Sequence, residues 1–274
     1  MELELLRKIS NAKYLIEVAL EKCAKEGKRL EVAYSGGKDS DVLLWLAREV
    51  CGDSDILRPC YKNTTIDPPF TMAHVLSKNV EVLKPRMSFG EIIQQKGFPS
   101  RFRRFCCEIL KEYKVEDNAL IGVRRAESTK RKLFYKEPEI CRVFSKKERV
   151  HQYYPLLDFS NQDIKDVVEQ NDIQCHPLYY DGEGLFHVER RLGCLCCPLM
   201  SLKQRIEQFR KYPRMVHYYL RNGDIFLKRH PNSKTALINN DVYEMFYHHL
   251  SKNDDNTLFS INNYKDFIIN YFYL

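Results

Sequence analysis

Four of the ten cysteines in this 274-residue chain stand in pairs. Cys106 and Cys107 are adjacent, and Cys194 and Cys197 enclose two residues. Four thiolates from two paired segments can close a tetrahedral Zn²⁺ site or hold a [4Fe–4S] cluster. Structural zinc favours ligands about two to four residues apart. Adjacent cysteines must splay around a larger body, which suits the cluster. Cys196 lies inside the second pair and reads as a non-ligand. Cys23 reads as a core residue, and Cys51, Cys60, Cys141 and Cys175 have no partner pattern and default to core or surface thiols.

The second constellation is Ser35-Gly36-Gly37-Lys38-Asp39-Ser40. Two glycines remove Cβ atoms, so backbone N–H groups can face an anion. A helix starting at the loop adds its partial positive charge. Lys38 reaches a phosphate as a point charge. Ser35 and Ser40 offer hydroxyl donors, and Asp39 can hold Mg²⁺ against the phosphates. The spacing is not the G-x-x-x-x-G-K-[ST] of kinase-type loops. Two further groups belong to the same chemistry. The arginines of Arg124-Arg125-Ala126-Glu127-Ser128-Thr129-Lys130-Arg131 offer planar forks for phosphate or sulfate. Thr64 and Thr65 can bond a nucleotide through their hydroxyls, and serve equally well as a turn and cap before a helix.

The elements that must position these groups are legible as alternating strands and helices. Leu30–Tyr34 is a short buried strand leading into the loop, and a helix from Asp41 to about Val50 follows. Residues 3–26 carry a helical stripe of Leu6, Ile9, Ala12, Ile16, Ala19, Leu20 and Cys23. Further strands are expected over 53–62, 80–83 and 119–123, with more peripheral ones at 140–144 and 150–157. Pro59 inside the second strand is a warning, since proline suits edges or bulges. Helices are expected at 69–78, 89–96 and 160–171, with another carrying Cys106 and Cys107. Thr64-Thr65 and Arg124 then fall at the C-terminal ends of strands, where open α/β sheets bind ligands. The expected fold is a doubly wound, mostly parallel α/β sheet over residues 1–201. Residues 202–274 read as a helical C-terminal subdomain.

Charge points to anionic partners. The formal net charge is +7, with 15 Lys/Arg against 8 Asp/Glu in residues 100–149 and 9 against 2 in residues 203–234. The first stretch fits nucleotide phosphates; the second fits tRNA or DNA, or a solvated helix face. Phe209, Tyr212, Tyr218, Tyr219 and Phe226 interleave that second stretch and are expected to stack bases. No apolar run reaches a membrane span, and the charged N-terminus is no signal peptide, so a cytoplasmic protein without membrane contact is expected.

The loop after its strand resembles the PP-loop of the ATP pyrophosphatase superfamily. A PP-loop, then Cys-Cys, then Cys-x-x-Cys resembles the phosphoadenosine/adenosine phosphosulfate reductase family, in its iron–sulfur branch. Thr64-Thr65, Arg104-Phe105-Cys106-Cys107, Gly122-Val-Arg-Arg-Ala-Glu-Ser-Thr-Lys-Arg131 and Arg191-Leu-Gly-Cys194 agree, so the match covers residues 28–200. The resemblance implies that Ser35 to Ser40 bind phosphate and that Cys106, Cys107, Cys194 and Cys197 ligate the cluster, with zinc the lesser alternative. It places Arg124 and Arg131 near the sulfate or phosphate. Reductases of this family also use a nucleophilic cysteine in a Glu-Cys-Gly-Leu-His-like tail; here the last cysteine is Cys197.

Three functions compete. The first is ATP-dependent adenylation and sulfur transfer to a nucleic-acid or small-molecule acceptor, as in PP-loop thiolation enzymes that carry an iron–sulfur cluster. A protein sulfur donor would complete that reaction. The second is reduction of adenylyl sulfate to sulfite, with a thiol from Cys196 or a partner reductant. The third is a non-catalytic nucleotide- and cluster-binding protein associated with nucleic acid.

Overall fold

The computed structural model describes residues 2–52, 54–143, 148–251 and 263–274. Asp53 and Phe144, the expected ends of two strands, lie outside the described residues, as do residues 252–262 of the expected helical subdomain. In chain order the elements are α1 (Leu3–Glu26), β1 (Leu30–Tyr34), α2 (Lys38–Cys51), β2 (Leu57–Lys62), α3 (Thr71–Ser77), β3 (Glu81–Leu83), α4 (Phe89–Lys96), α5 (Phe105–Leu110), β4 (Asn118–Ile121), α6 (Thr129–Phe134), β5 (Glu139–Val143), β6 (Arg149–Tyr153), α7 (Asn161–Gln170), α8 (Leu202–Lys211), α9 (Pro213–Arg229), α10 (Lys234–Ile238), α11 (Val242–Leu250) and α12 (Tyr264–Phe272). They fall into two compact units. The first comprises Met1–Asn63, Pro68–Lys84 and Glu112–Gly193; the second comprises Thr64–Asp67, Pro85–Lys111 and Cys194–Leu274. The expected boundary after residue 201 falls inside the second unit.

The first unit holds a six-stranded sheet in the order β3-β2-β1-β4-β6-β5. Every neighbouring pair is parallel except the outermost, where β5 runs antiparallel to β6. This is the expected doubly wound α/β class. β1 lies between β2 and β4, and Leu30 and Val32 are fully buried, as a central parallel strand covered on both faces requires. The order reverses between β1 and β4, which opens a crevice at their C-terminal ends. Pro59 is accommodated by register. It pairs with Val32 of β1, and the β2–β3 ladder begins only at the next residue, Cys60.

Two expectations shift. The buried stripe of α1 is Leu5, Ile9, Ala12, Ile16, Ala19 and Cys23; Leu6 is instead exposed. β6 stops at Tyr153 rather than continuing to Leu157. A turn in which the Leu157 N–H donates to the Tyr154 carbonyl (3.1 Å) ends it; Leu156 still joins the core cluster and Leu157 is still buried.

The second unit has an aromatic core. Phe209 meets Tyr219 and Phe246 edge-on, at centroid separations of 5.2 and 5.1 Å, and Phe272 packs against Phe246 at 5.9 Å. Such T-shaped contacts suit the quadrupoles of the rings. The structure therefore corrects the base-stacking expectation. Phe209 and Tyr219 are fully buried and Phe226 is 5% exposed. Tyr212 and Tyr218 pack against the same cluster. The aromatic stripe of α8 and α9 faces the core and is not presented for base stacking.

Candidate phosphate cradle and cysteine cavity

The cradle connects β1 to α2. Gly36 adopts φ +75°, a left-handed conformation that a side chain disfavours. Gly37 precedes the helix with no side-chain cap, and the hydroxyl that meets the first turn of α2 comes from elsewhere: Tyr179 accepts from the Lys38 backbone N–H. Ser40 ties the loop together. Its hydroxyl accepts from the Ser35 N–H (3.2 Å) and Ser35 hydroxyl (3.1 Å) and donates to the Gly37 carbonyl (2.7 Å). The Ser35 and Ser40 hydroxyl hydrogens, expected on phosphate, are here directed within the loop. Behind the helix, the Tyr34 hydroxyl donates to Asp41 (2.6 Å), whose carboxylate also meets His74 Nε2 at 3.0 Å. This buried trio fixes the first turn of α2 from beneath.

Lys38, Asp39 and Arg124 converge. The Asp39 carboxylate accepts from Arg124 Nε at 2.6 Å and from Lys38 Nζ at 3.2 Å. Arg124 is 1% exposed and its remaining donors reach the Phe159 carbonyl and Asn161. An acceptor at each of its three nitrogens is what lets this guanidinium be buried. Burial pushes the Lys38 ammonium below its usual pKa, and Asp39 partly offsets this. β4 reaches the cradle closely because Gly122 has no side chain: a Cβ there would stand 3.2 Å from the Asp39 carbonyl oxygen.

These groups open onto a cavity of about 150 Å³ lined by Lys38, Arg124, Ala126, Glu127, Asn161, Val188, Glu189 and Arg191. Arg131 is not among its lining residues; it ion-pairs with Glu127 and so offsets a carboxylate at the rim. Arg191 takes the lining position, its guanidinium donating to the Glu127 carbonyl. Arg191 was visible in the sequence as part of the basic pair before Cys194, but nothing there distinguished it from Arg131. Tyr179 is the other residue the sequence did not disclose. It lies over the cradle, with its hydroxyl 3.3 Å from a Cβ built at Gly37 and its ring 5.3 Å from Lys38 Nζ.

In the second unit, Cys106 and Cys107 on α5 and Cys194 and Cys197 before α8 line one cavity. Ile66, Phe89, Leu110, Pro198 and Tyr219 give it apolar walls, and Thr64 and Lys111 complete the lining. The Cys106 thiol is pushed up by its hydrogen bond with Cys107 and by burial; burial also raises Cys197. Among the described residues, no group of three or more His, Cys, Asp or Glu side chains is arranged to hold a metal ion. The four thiols thus surround a space without closing on one point. As a donor set, four sulfurs from two pairs fit an iron–sulfur cluster, whose binding would displace their protons.

Cys196 is separate. It is fully buried at φ +53°, its N–H donates to Gln208 (2.6 Å), and burial pushes its thiol up to about 12. Thr64 and Thr65 belong to the second unit. The Thr64 hydroxyl donates to Asp67 (2.7 Å) and accepts from the Cys194 thiol (3.6 Å). The Thr65 hydroxyl accepts from the Phe89 N–H at the start of α4 (2.9 Å).

A family model described as the phosphoadenosine phosphosulfate reductase domain matches residues 29–200. An uncharacterised protein of Methanocaldococcus jannaschii is 28% identical over 218 residues, 75% of this chain and 50% of the relative. The chain spans about half the length or less of the curated relatives it matches. Among solved structures, the phosphoadenylyl-sulfate reductase of Candida auris in a phosphate complex aligns with TM-score 0.43 and 14% identity, over 65% of this chain and 87% of that one. The U34-tRNA thiolase NcsA of Methanococcus maripaludis with its [4Fe–4S] cluster aligns with TM-score 0.42 and 14% identity, over 82% and 79%.

Proposed function

Because the chain belongs to the phosphoadenosine phosphosulfate reductase domain family, we propose that it is a PP-loop enzyme that adenylates an acceptor with ATP and prepares it for sulfur transfer. The observation that carries this reading is that Lys38, the first residue of α2, and Arg124 line one cavity at the switch point of the sheet. That cavity suits the phosphates of an adenine nucleotide.

In this reading the first-turn N–H groups of α2 and Lys38 hold the β- and γ-phosphates. Asp39, oriented by Arg124, would hold Mg²⁺ against them. An acceptor oxygen attacks the α-phosphorus, the bond to the bridging oxygen breaks, and pyrophosphate leaves with its charge stabilised by Lys38 and the loop amides. A sulfur donor then displaces AMP. Cys106, Cys107, Cys194 and Cys197 would hold a [4Fe–4S] cluster, which supplies sulfur-handling or electron-transfer chemistry when bound.

The runner-up is reduction of adenylyl sulfate, which needs an attacking thiolate. Cys196 is buried and its thiol is pushed up by that burial, so that reading needs a thiol other than Cys196, from a partner protein or from an exposed cysteine such as Cys141. The test is product analysis under anaerobic conditions. The proposal expects pyrophosphate and AMP from ATP, and a fall of at least about 100-fold in Lys38→Ala. Sulfite from adenylyl sulfate without pyrophosphate from ATP would overturn it.

A further inference from the structure

One turn of the second unit serves neither the cradle nor the core. Phe102 is 96% exposed, more than any other large hydrophobic among the described residues. Its exposure is built in. The Ser100 N–H donates to the Arg103 carbonyl (3.2 Å), and the Arg103 N–H donates back to the Ser100 hydroxyl (3.1 Å). The Arg101 guanidinium donates to the Leu199 carbonyl (3.0 Å), pinning the turn to the segment after Cys197. A ring held in water forfeits its burial energy, and here hydrogen bonds on both sides keep it at the tip of the turn.

The surroundings say what would meet it. Residues 96–107 contain Lys96, Arg101, Arg103 and Arg104 and no carboxylate. Lys96 and Arg103 each stand 6.0 Å from the Phe105 ring just below. A partner protein would seek a contiguous apolar patch. A single ring set among cations matches a polyanion whose monomers carry π faces. Base pairs hide those faces, so the matching form is single-stranded.

We infer that the turn from Ser100 to Arg104 docks a single-stranded segment of nucleic acid, with Phe102 stacking on one unpaired base and the flanking arginines engaging its phosphates. Arg101 keeps donors to spare beside its bond to Leu199. The turn leads directly into α5, and Phe102 precedes the cavity-lining Cys106 by four residues. The inference names the acceptor class for the proposed adenylation, and only the purpose of docking rests on that reading.

The test is fluorescence anisotropy of the full chain, without ATP, using one labelled sequence as single-stranded DNA, as single-stranded RNA and as a duplex. Single strands should bind more tightly than the duplex, and the tighter of the two single strands identifies the source. Phe102→Ala should weaken single-strand binding about tenfold, with its salt dependence unchanged, and Phe102→Trp should restore it. Arg103→Gln should lower the slope of log affinity against log salt by about 0.7. The inference fails if Phe102→Ala binds like the parent, if the duplex binds as tightly, or if polyglutamate competes as well as the oligonucleotide. Pyrophosphate release from ATP with no nucleic acid added, where water is the acceptor, should be unchanged in Phe102→Ala, because Phe102 lies outside the cradle. Phe102-dependent binding without turnover would therefore sink the functional reading alone; turnover without such binding would sink this inference alone.

Discussion

Gly36 turns the chain from β1 toward α2 at φ +75°, and the cradle depends on that turn. The space around it is not the constraint, since an added Cβ would meet Leu192, Thr71 and Val75 at ordinary distances. The cost is conformational, about 1–2 kcal/mol for an L-residue in the left-handed region. Gly36→Ala is therefore expected to lower unfolding free energy by about that amount in denaturant titration and to weaken ATP binding further, because relaxing the strain re-aims the loop amides. Unchanged stability and affinity would show that the turn is not the source of the cradle. Most of this site could be read in the sequence, because Ser35 to Ser40 are contiguous and each residue type has a direct chemical use. Arg124 could be placed by its position after a strand. That Arg191 lines the cavity while Arg131 pairs with Glu127 could not be read, because Arg191 reaches Glu127 from a distant part of the chain.

At the scale of elements, helical period identified the stripes and misassigned what they face. α8 and α9 alternate cations with aromatics, the pattern of a nucleic-acid surface and equally of an amphipathic helix over a core. The buried Tyr219 and Phe209 settle the second reading, and, Arg205 apart, the cations of the two helices are exposed. Phe209→Ala should accordingly cost about 3–5 kcal/mol of stability, as a large ring lost from a packed core does. Thermal or denaturant unfolding of the variant measures it; a near-neutral change would return Phe209 to the surface. The capped helices were easier to read. Ser88 with Glu91 and Ser160 with Asp163 form capping boxes, local devices that depend on few distant contacts. Where β6 ends was not legible, because Leu156 and Leu157 stay apolar and buried although the strand has given way to a turn.

At the scale of the whole molecule, the chain weaves two compact units from interleaved segments. A composition change near residue 201 is visible along the sequence, whereas the recruitment of Thr64–Asp67 and Pro85–Lys111 to the second unit is not, since those pairings are long-range. Among the described residues no helix is long and apolar enough to cross a membrane. The first unit carries the phosphate cradle and the second carries the four-cysteine cavity. We propose that this second site holds an iron–sulfur cluster. Iron, acid-labile sulfide and zinc per chain, measured after anaerobic purification together with the visible absorption, test it most directly. About four irons and four sulfides with broad absorption near 400 nm are predicted. Serine at Cys106, Cys107, Cys194 or Cys197 should deplete them, while Cys196→Ser leaves them in place. One zinc without sulfide, or equal loss on replacing Cys196, would contradict the account.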